Sequence, residues 1–345
     1  MARKLSRKQE NRIREGRQRR IDEFTADPST LREGVVISRY GSQADIEDRE
    51  GTLLRCGIRR TVGTLVSGDE ILWRPAVPGE GGTDTVEAVL PRKSLLQRPD
   101  FYDGLKPVAA NIEVAVVVAS AVQPELSTNI IDRYLAACVH AGIEAAVIIT
   151  KTDLLPDPGD EDRLRERLSF YGEPHVRLFL ASSATGQGIS ALRDFLSGRR
   201  SLLAGQSGVG KSSLLNALLG SAAAEVGAVS DVSGLGQHTT TCTRLYRFPD
   251  GGTILDSPGV REFGLWHLSR EDLIRGYWEF APYLGTCRFK DCRHQNEKGC
   301  AVRQAVAEGQ ISPERYDNYL RILEDQEQVR SRAGFRRACT DPAGR

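Results

Sequence analysis

Residues 205–212, Gly205-Gln206-Ser207-Gly208-Val209-Gly210-Lys211-Ser212, match the pattern G-x-x-x-x-G-K-[S/T] in full. The run follows the apolar stretch 201–204 and precedes Leu214, Leu215, Ala217 and Leu218, which are spaced for a helix. No other feature constrains the fold as much. A buried strand that turns through glycines into a helix belongs in an α/β sheet, and the turn makes a phosphate cradle. The glycines let successive backbone N–H groups face phosphate oxygens, and the helix N-terminus adds its dipole. Lys211 is expected at the β- and γ-phosphates, and Ser212 on Mg²⁺.

Other polar segments sit at strand ends around this motif. Asp256-Ser257-Pro258-Gly259 follows the strand 253–256. Asp256 there can hold Mg²⁺ through water, and the Gly259 N–H can meet the γ-phosphate. Gly236-Gln237-His238-Thr239-Thr240-Thr241 precedes a strand at 245–248 and can order around the γ-phosphate. Thr241, three residues before Arg244, is favoured over Thr240 to complete the Mg²⁺ shell. Thr150-Lys151-Thr152-Asp153 ends a strand at 145–150. Asp153 can accept from guanine N1–H and N2–H₂, an edge adenine lacks, while the Lys151 stem packs on the base. Ser182-Ser183-Ala184, after a strand at 176–181, can offer backbone donors to the guanine oxygen. The ordinary guanine motif is N-K-x-D. Thr150 replaces an amide that ties this loop to the P-loop, so selectivity should persist through Asp153 with weaker nucleotide binding.

The order of these segments is informative. In ordinary GTPases the base-reading motif follows the P-loop. Here 150–153 and 182–184 precede it, as in a sheet whose chain ends have moved, a circular permutation. Alternating helices and nearly continuous apolar strands from residue 99 onward fit a parallel sheet covered on both faces. With 345 residues the chain has room for two or three domains. Residues 34–98 hold short apolar runs punctuated by glycines, which predicts a small β-barrel of OB or SH3-like type. The GTPase-like segment spans 99–264. From 265 to 345 the pattern is helical, with Ser312-Pro313 opening a helix through about 329.

Four of the seven cysteines fall within that last segment, three of them as Cys287-x₄-Cys292-x-His294-x₅-Cys300. Three thiolates and an imidazole are a closed tetrahedral set, so one structural Zn²⁺ per chain and no metal-based catalysis are expected. Such spacing also argues for a reducing compartment rather than a disulfide scaffold. Residues 1–33 form a basic arm and linker. Residues 1–20 carry net +7, leaving −6 for the rest of a chain whose total is +1. An Arg-rich arm nearly free of apolar residues points to nucleic acid rather than a membrane surface. No apolar run reaches 18 residues, which argues against a membrane span, and no apolar core follows the N-terminal charges, so no secretory signal is expected.

A β-barrel, a permuted GTPase and a helical Cys-x₄-Cys-x-His-x₅-Cys domain, in this order, resemble the ribosome small-subunit-dependent GTPase A family. The likeness runs from about residue 34 to 329. Residues Gln206 to Ser213, the stretch 237–241 and the cysteine spacing look like that family's own motifs, which adds Ser213 to the nucleotide-binding set. The resemblance implies an OB-fold and GTP hydrolysis to GDP and phosphate, stimulated by the small ribosomal subunit. It also implies late maturation of that subunit through 16S rRNA, a monomer, and a cytoplasmic location. Thr150 departs from the family's Asn.

Many GTPases place Gln after the glycine of D-x-x-G to orient water. Val260 stands there, so His238 is the candidate catalytic group, beside Lys211 and Thr241. Two rival classes are an RNA-binding scaffold that uses nucleotide only for stability and an ATP-dependent kinase. The intact phosphate motifs oppose the first, and the missing acceptor-substrate motif opposes the second.

Overall fold

The computed structural model describes residues 15–16, 18–22, 30–77, 82–100, 104–172, 174–220, 244–248, 251–256, 265 and 268–340. His238, Thr241, Gly259 and Val260 lie outside them. The chain divides into two compact units, one holding 1–115, 189–204 and 212–261, the other 116–188, 205–211 and 262–345.

The first unit begins with a closed barrel. Its strands are β1 (Arg32–Tyr40), β2 (Gln43–Asp48), β3 (Leu53–Ile58), β4 (Glu70–Arg74) and β5 (Thr85–Val89), in the order β1-β2-β3-β5-β4. Neighbours are antiparallel except β3 and β5, whose parallel pairing helps close the sheet in the OB manner. Alternate residues point inward, so Val36, Ala44, Ile46, Ile71, Trp73 and Val86 share one core. The register slips between Val36 and Ser38, a bulge that bends β1 around the barrel. Strand β2 was not expected, because Gln43–Asp48 offers only Ala44 and Ile46 as apolar residues.

Part of the basic arm is packed rather than solvated. Residues 18–22 are helical. Ile21 rests on Leu31, Leu72 and Ala88, and buried Arg20 donates to the Glu87 carbonyl at 2.6 Å and to its carboxylate. Arg59 bonds the same carboxylate at 2.7 Å. A hairpin of β6 (Leu95–Asp100) and β7 (Gly104–Ala110) follows the barrel, so the step from residue 98 to 99 falls inside β6.

A six-stranded sheet carries the phosphate motif. Its strands are β8 (Val114–Ser120), β9 (Glu144–Thr150), β10 (Arg177–Leu180), β11 (Arg200–Ala204), β12 (Arg244–Arg247) and β13 (Thr253–Asp256), in the order β10-β9-β8-β11-β13-β12. β10 runs parallel to β9 and β11 to β13, while β12 is antiparallel to β13. Every residue of β8 is buried, as expected of a strand covered on both faces. The connecting helices are α1 (Thr128–Ala141), α2 (Asp160–Arg167), α3 (Ile189–Leu196) and α4 (Lys211–Leu219).

The second unit ends in helices α5 (Arg270–Ile274), α6 (Ala301–Ala307) and α7 (Pro313–Thr340), the last extending beyond its expected end near 329. Arg315 of α7 is fully buried. It bonds Asp132 of α1, Glu279 at 2.6 Å and the Gly276 carbonyl at 2.9 Å, with its guanidinium 4.3 Å from the Tyr277 ring centroid. Asn318 also donates to Asp132, at 2.8 Å. A buried cation with two carboxylate partners and aromatic faces is tolerable; the same cation unpaired would not be. Among the described residues, no helix is long and apolar enough to cross a membrane.

Candidate nucleotide site and metal centre

The turn from β11 into α4 depends on glycine. Gly205 has φ +149°, and a Cβ there would lie 2.3 Å from the Val118 carbonyl oxygen of β8. No side chain fits so close to that strand. Gly208 and Gly210 also have positive φ, at +83° and +90°. Lys211, the first residue of α4, folds its ammonium back over the loop and donates to the carbonyls of Gly205 at 2.7 Å and Gln206 at 2.6 Å. Ser207 is exposed, Val209 is buried beneath the turn, and Ser212 and Ser213 sit exposed on the first turn of α4.

Strand β9 delivers Thr150 and Lys151 to the same loop. The Thr150 hydroxyl lies 2.5 Å from the Val209 carbonyl and 3.0 Å from that of Ala119. The expected loss of a tie at this position is therefore corrected: a hydroxyl makes the bond to the P-loop that an amide would have made. Lys151 adopts φ +60° and donates to the Gly208 carbonyl at 2.7 Å and to that of Gln123. The segment at 123–124 was not singled out from the sequence. Its Gln-Pro step after a buried strand was the available signal. Thr152 and Asp153 open a 3₁₀ turn, with Thr152 buried and the Asp153 carboxylate exposed.

After β10 the loop at 182–188 is tied internally. The buried Ser182 hydroxyl accepts from the backbone N–H of Ala184 at 3.2 Å and of Thr185 at 3.1 Å. The Ser182 N–H bonds the Gln187 carbonyl at 3.0 Å. Of the three backbone donors expected here, those of Ser182 and Ala184 are engaged within the loop. The Thr152 N–H reaches the Ala181 carbonyl at 3.4 Å, which joins this loop to the Asp153 turn. Asp256 ends β13, in register with Leu203, two residues before Gly205.

The second unit also holds a metal-type cluster. One ligand atom from each of Cys287, Cys292, His294 and Cys300 lies within 4.8 Å of the others. His294 Nδ1 is 3.5 Å from the Cys287 sulfur and 3.4 Å from that of Cys300. The loop is shaped by its own backbone. His294 has φ +59°, and its carbonyl accepts from the Tyr316 hydroxyl at 2.8 Å. The Glu297 carboxylate gathers the N–H groups of Arg293 at 2.8 Å and Gln295 at 2.9 Å. Burial pushes the Cys292 thiol up to about 12 and the Cys300 thiol upward, and it lowers His294. Three sulfurs and an imidazole nitrogen at this spacing fit a tetrahedral thiophilic cation, which would displace the thiol protons.

A P-loop on β11, with a base-reading type of loop placed earlier in the chain, defines a P-loop GTPase sheet in circularly permuted order. Comparison with known proteins agrees. The family model for the RsgA GTPase matches residues 89–266. The "Small ribosomal subunit biogenesis GTPase RsgA" of Dickeya dadantii (strain 3937) is 52% identical over 342 residues, covering 96% of this chain and 97% of its own. The crystal structure of YjeQ from Thermotoga maritima matches with TM-score 0.69 and 33% identity, over 86% of this chain and 98% of that one. YloQ, described as a circularly permuted GTPase, matches with TM-score 0.67 and 25% identity, over 87% and 96%. The chain belongs to the RsgA GTPase family and is thus a GTP hydrolase.

Proposed function

We propose that this GTPase acts in late assembly of the small ribosomal subunit, binding the subunit through its 16S rRNA, hydrolysing GTP faster when bound, and coupling its nucleotide state to rRNA binding and release. The observation that carries this reading is the near full-length likeness to a relative named for small-subunit biogenesis. A feature of the chain itself supports an RNA partner. Phe289 is 46% exposed beside the metal cluster, with the Arg288 guanidinium 5.6 Å from its ring centroid. An exposed aromatic ring among Arg288, Lys290, Arg293 and Lys298 suits base stacking and phosphate contact. The N-terminal arm adds further positive charge, although Arg20 is engaged by Glu87.

In this reading the domains are the arm at 1–33, the barrel at 34–98, the GTPase at 99–264 and the metal-binding domain at 265–345. Residues 205–213 take the phosphates and Asp153 selects guanine, with Ser183 supplying the backbone donor toward the guanine oxygen. Ser212 and Thr241 would hold Mg²⁺, which supplies charge neutralisation at the phosphates, and Asp256 would act through its water shell. Cys287, Cys292, His294 and Cys300 would hold one structural Zn²⁺. His238 would orient the attacking water, a task Val260 cannot perform. The natural setting is the cytoplasm, with the chain monomeric.

Sedimentation of the chain with purified small subunits tests the reading. Co-sedimentation should depend on whether a non-hydrolysable GTP analogue or GDP is bound, and should weaken steeply with salt. Equal recovery in both nucleotide states would contradict a nucleotide-controlled binding cycle.

A further inference from the structure

Thr150 is 2% exposed, so its hydroxyl does not face an open cleft. A hydroxyl has one proton. The Val209 carbonyl at 2.5 Å and the Ala119 carbonyl at 3.0 Å are both acceptors only, and they claim it. In a trans peptide the C=O and the N–H point in opposite directions. Holding the Val209 carbonyl toward Thr150 therefore turns the Gly210 N–H away from it. The Lys151 ammonium, 2.7 Å from the Gly208 carbonyl, does the same for the Val209 N–H. Two successive peptides are thus oriented by the first two residues of the base-reading loop, with their N–H groups on the face opposite those residues. Consecutive N–H groups on one face are what an anion requires.

We infer that Thr150 is a positioning residue for the phosphate cradle and is blind to the base: it orients the Gly210 N–H and gives no hydrogen bond to guanine N7. An Asn at this position has two amide protons, enough for the carbonyl and the ring nitrogen together. Threonine has one, and the P-loop holds it. The inference rests on reading 205–213 as the phosphate site and Asp153 as the guanine reader.

The test compares affinities of GDP, 7-deaza-GDP, IDP and ADP for the full chain and for Thr150→Ser, Thr150→Val and Thr150→Asn. The wild type should bind GDP and 7-deaza-GDP within about twofold of each other, because no proton reaches N7. Thr150→Val keeps the shape but strands a buried carbonyl, and should weaken GDP and 7-deaza-GDP alike, about tenfold. Its preference for GDP over IDP should be unchanged. Thr150→Ser should bind as the wild type does, and Thr150→Asn should gain a preference for GDP over 7-deaza-GDP. A wild-type preference for GDP over 7-deaza-GDP that disappears in Thr150→Val would overturn the inference, since Thr150 would then be donating to N7. Wild-type GDP affinity in Thr150→Val would overturn it too. The wild-type comparison needs no variant to fold. A wild type that binds ADP or IDP as tightly as GDP would instead strike at Asp153, leaving the serine and valine comparison to judge Thr150.

Discussion

The P-loop and the cysteine–histidine cluster are both short loops that must present several donors to one small charged group. They reach that state by different means. The P-loop is braced by the protein. Gly205 lies under the Val118 carbonyl, and Thr150, Lys151 and Lys211 hold four of the loop's own carbonyls. Its shape is set by contacts within the protein. The cluster instead gathers side chains whose burial pushes the Cys292 thiol up to about 12 and the Cys300 thiol upward while it lowers His294, and a backbone N–H reaches the Cys287 sulfur at 3.3 Å. A cation has to complete it. Damage to the first site should therefore appear in catalysis, and damage to the second in folding.

The largest effect should come from Lys211→Ala. Removing the ammonium at the transferring phosphate should cost about 4 kcal/mol of barrier, a loss of roughly a thousandfold in turnover, with the thermal midpoint nearly unchanged. Steady-state phosphate release beside a melting curve checks both halves, and a stable variant with wild-type turnover would break the comparison on its catalytic side.

Cys292→Ser, or a strong chelator, should act in the opposite sense. Loss of one ligand from a structural metal should remove several kcal/mol, about 3 to 5, from the C-terminal helices. Metal analysis with limited proteolysis should show less than one bound zinc and early cleavage after residue 265. GDP affinity should fall far less, because the P-loop braces do not involve the cluster.

A smaller effect, about tenfold to a hundredfold in GDP affinity, is expected for Asp153→Asn. The new amide donates where the guanine amino group donated, while xanthine presents a carbonyl there, so the variant should prefer the xanthine nucleotide. Competition with labelled GDP measures this directly. An unaltered base preference would mean that the braced loop holds phosphates without reading the base.

The smallest effect concerns pH. Burial pushes the Glu314 carboxyl up, but hydrogen bonds from Arg167 at 2.7 Å and Thr128 at 2.7 Å outweigh it and hold the group below its ordinary value. A depressed carboxyl adds stability above the unfolded pKa and loses it as pH falls through the folded one. Acid melting curves of Glu314→Gln should thus be flatter than those of the wild type below about pH 4.5, the ordinary glutamate range.

Much of the nucleotide site could be read directly, because a P-loop is a local object whose glycines and lysine are contiguous. Strand β13 matched its expected span of 253–256 for the same reason: a short β-rich run bounded by glycine and proline is unambiguous. Strand β2 was missed because its pairing to β1 and β3, not its composition, makes it a strand. The Thr150 brace was misread because a substitution in a motif shows what is lost and not what the shorter side chain can still reach. Arg20 shows the same limit. Its place in a basic arm pointed to nucleic acid, and only the fold brings Glu87, 67 residues away, against it.

The central claim, a GTP hydrolase controlled by the small ribosomal subunit, is most directly tested by steady-state GTP hydrolysis with and without purified small subunits, in parallel for the wild type and His238→Ala. A slow intrinsic rate is expected, since a valine side chain has no group to orient water, with a stimulation of at least about tenfold by the subunit. That stimulation should fall sharply in His238→Ala while GTP affinity stays the same. Equal rates with and without subunits, at concentrations where the two demonstrably bind, would contradict it.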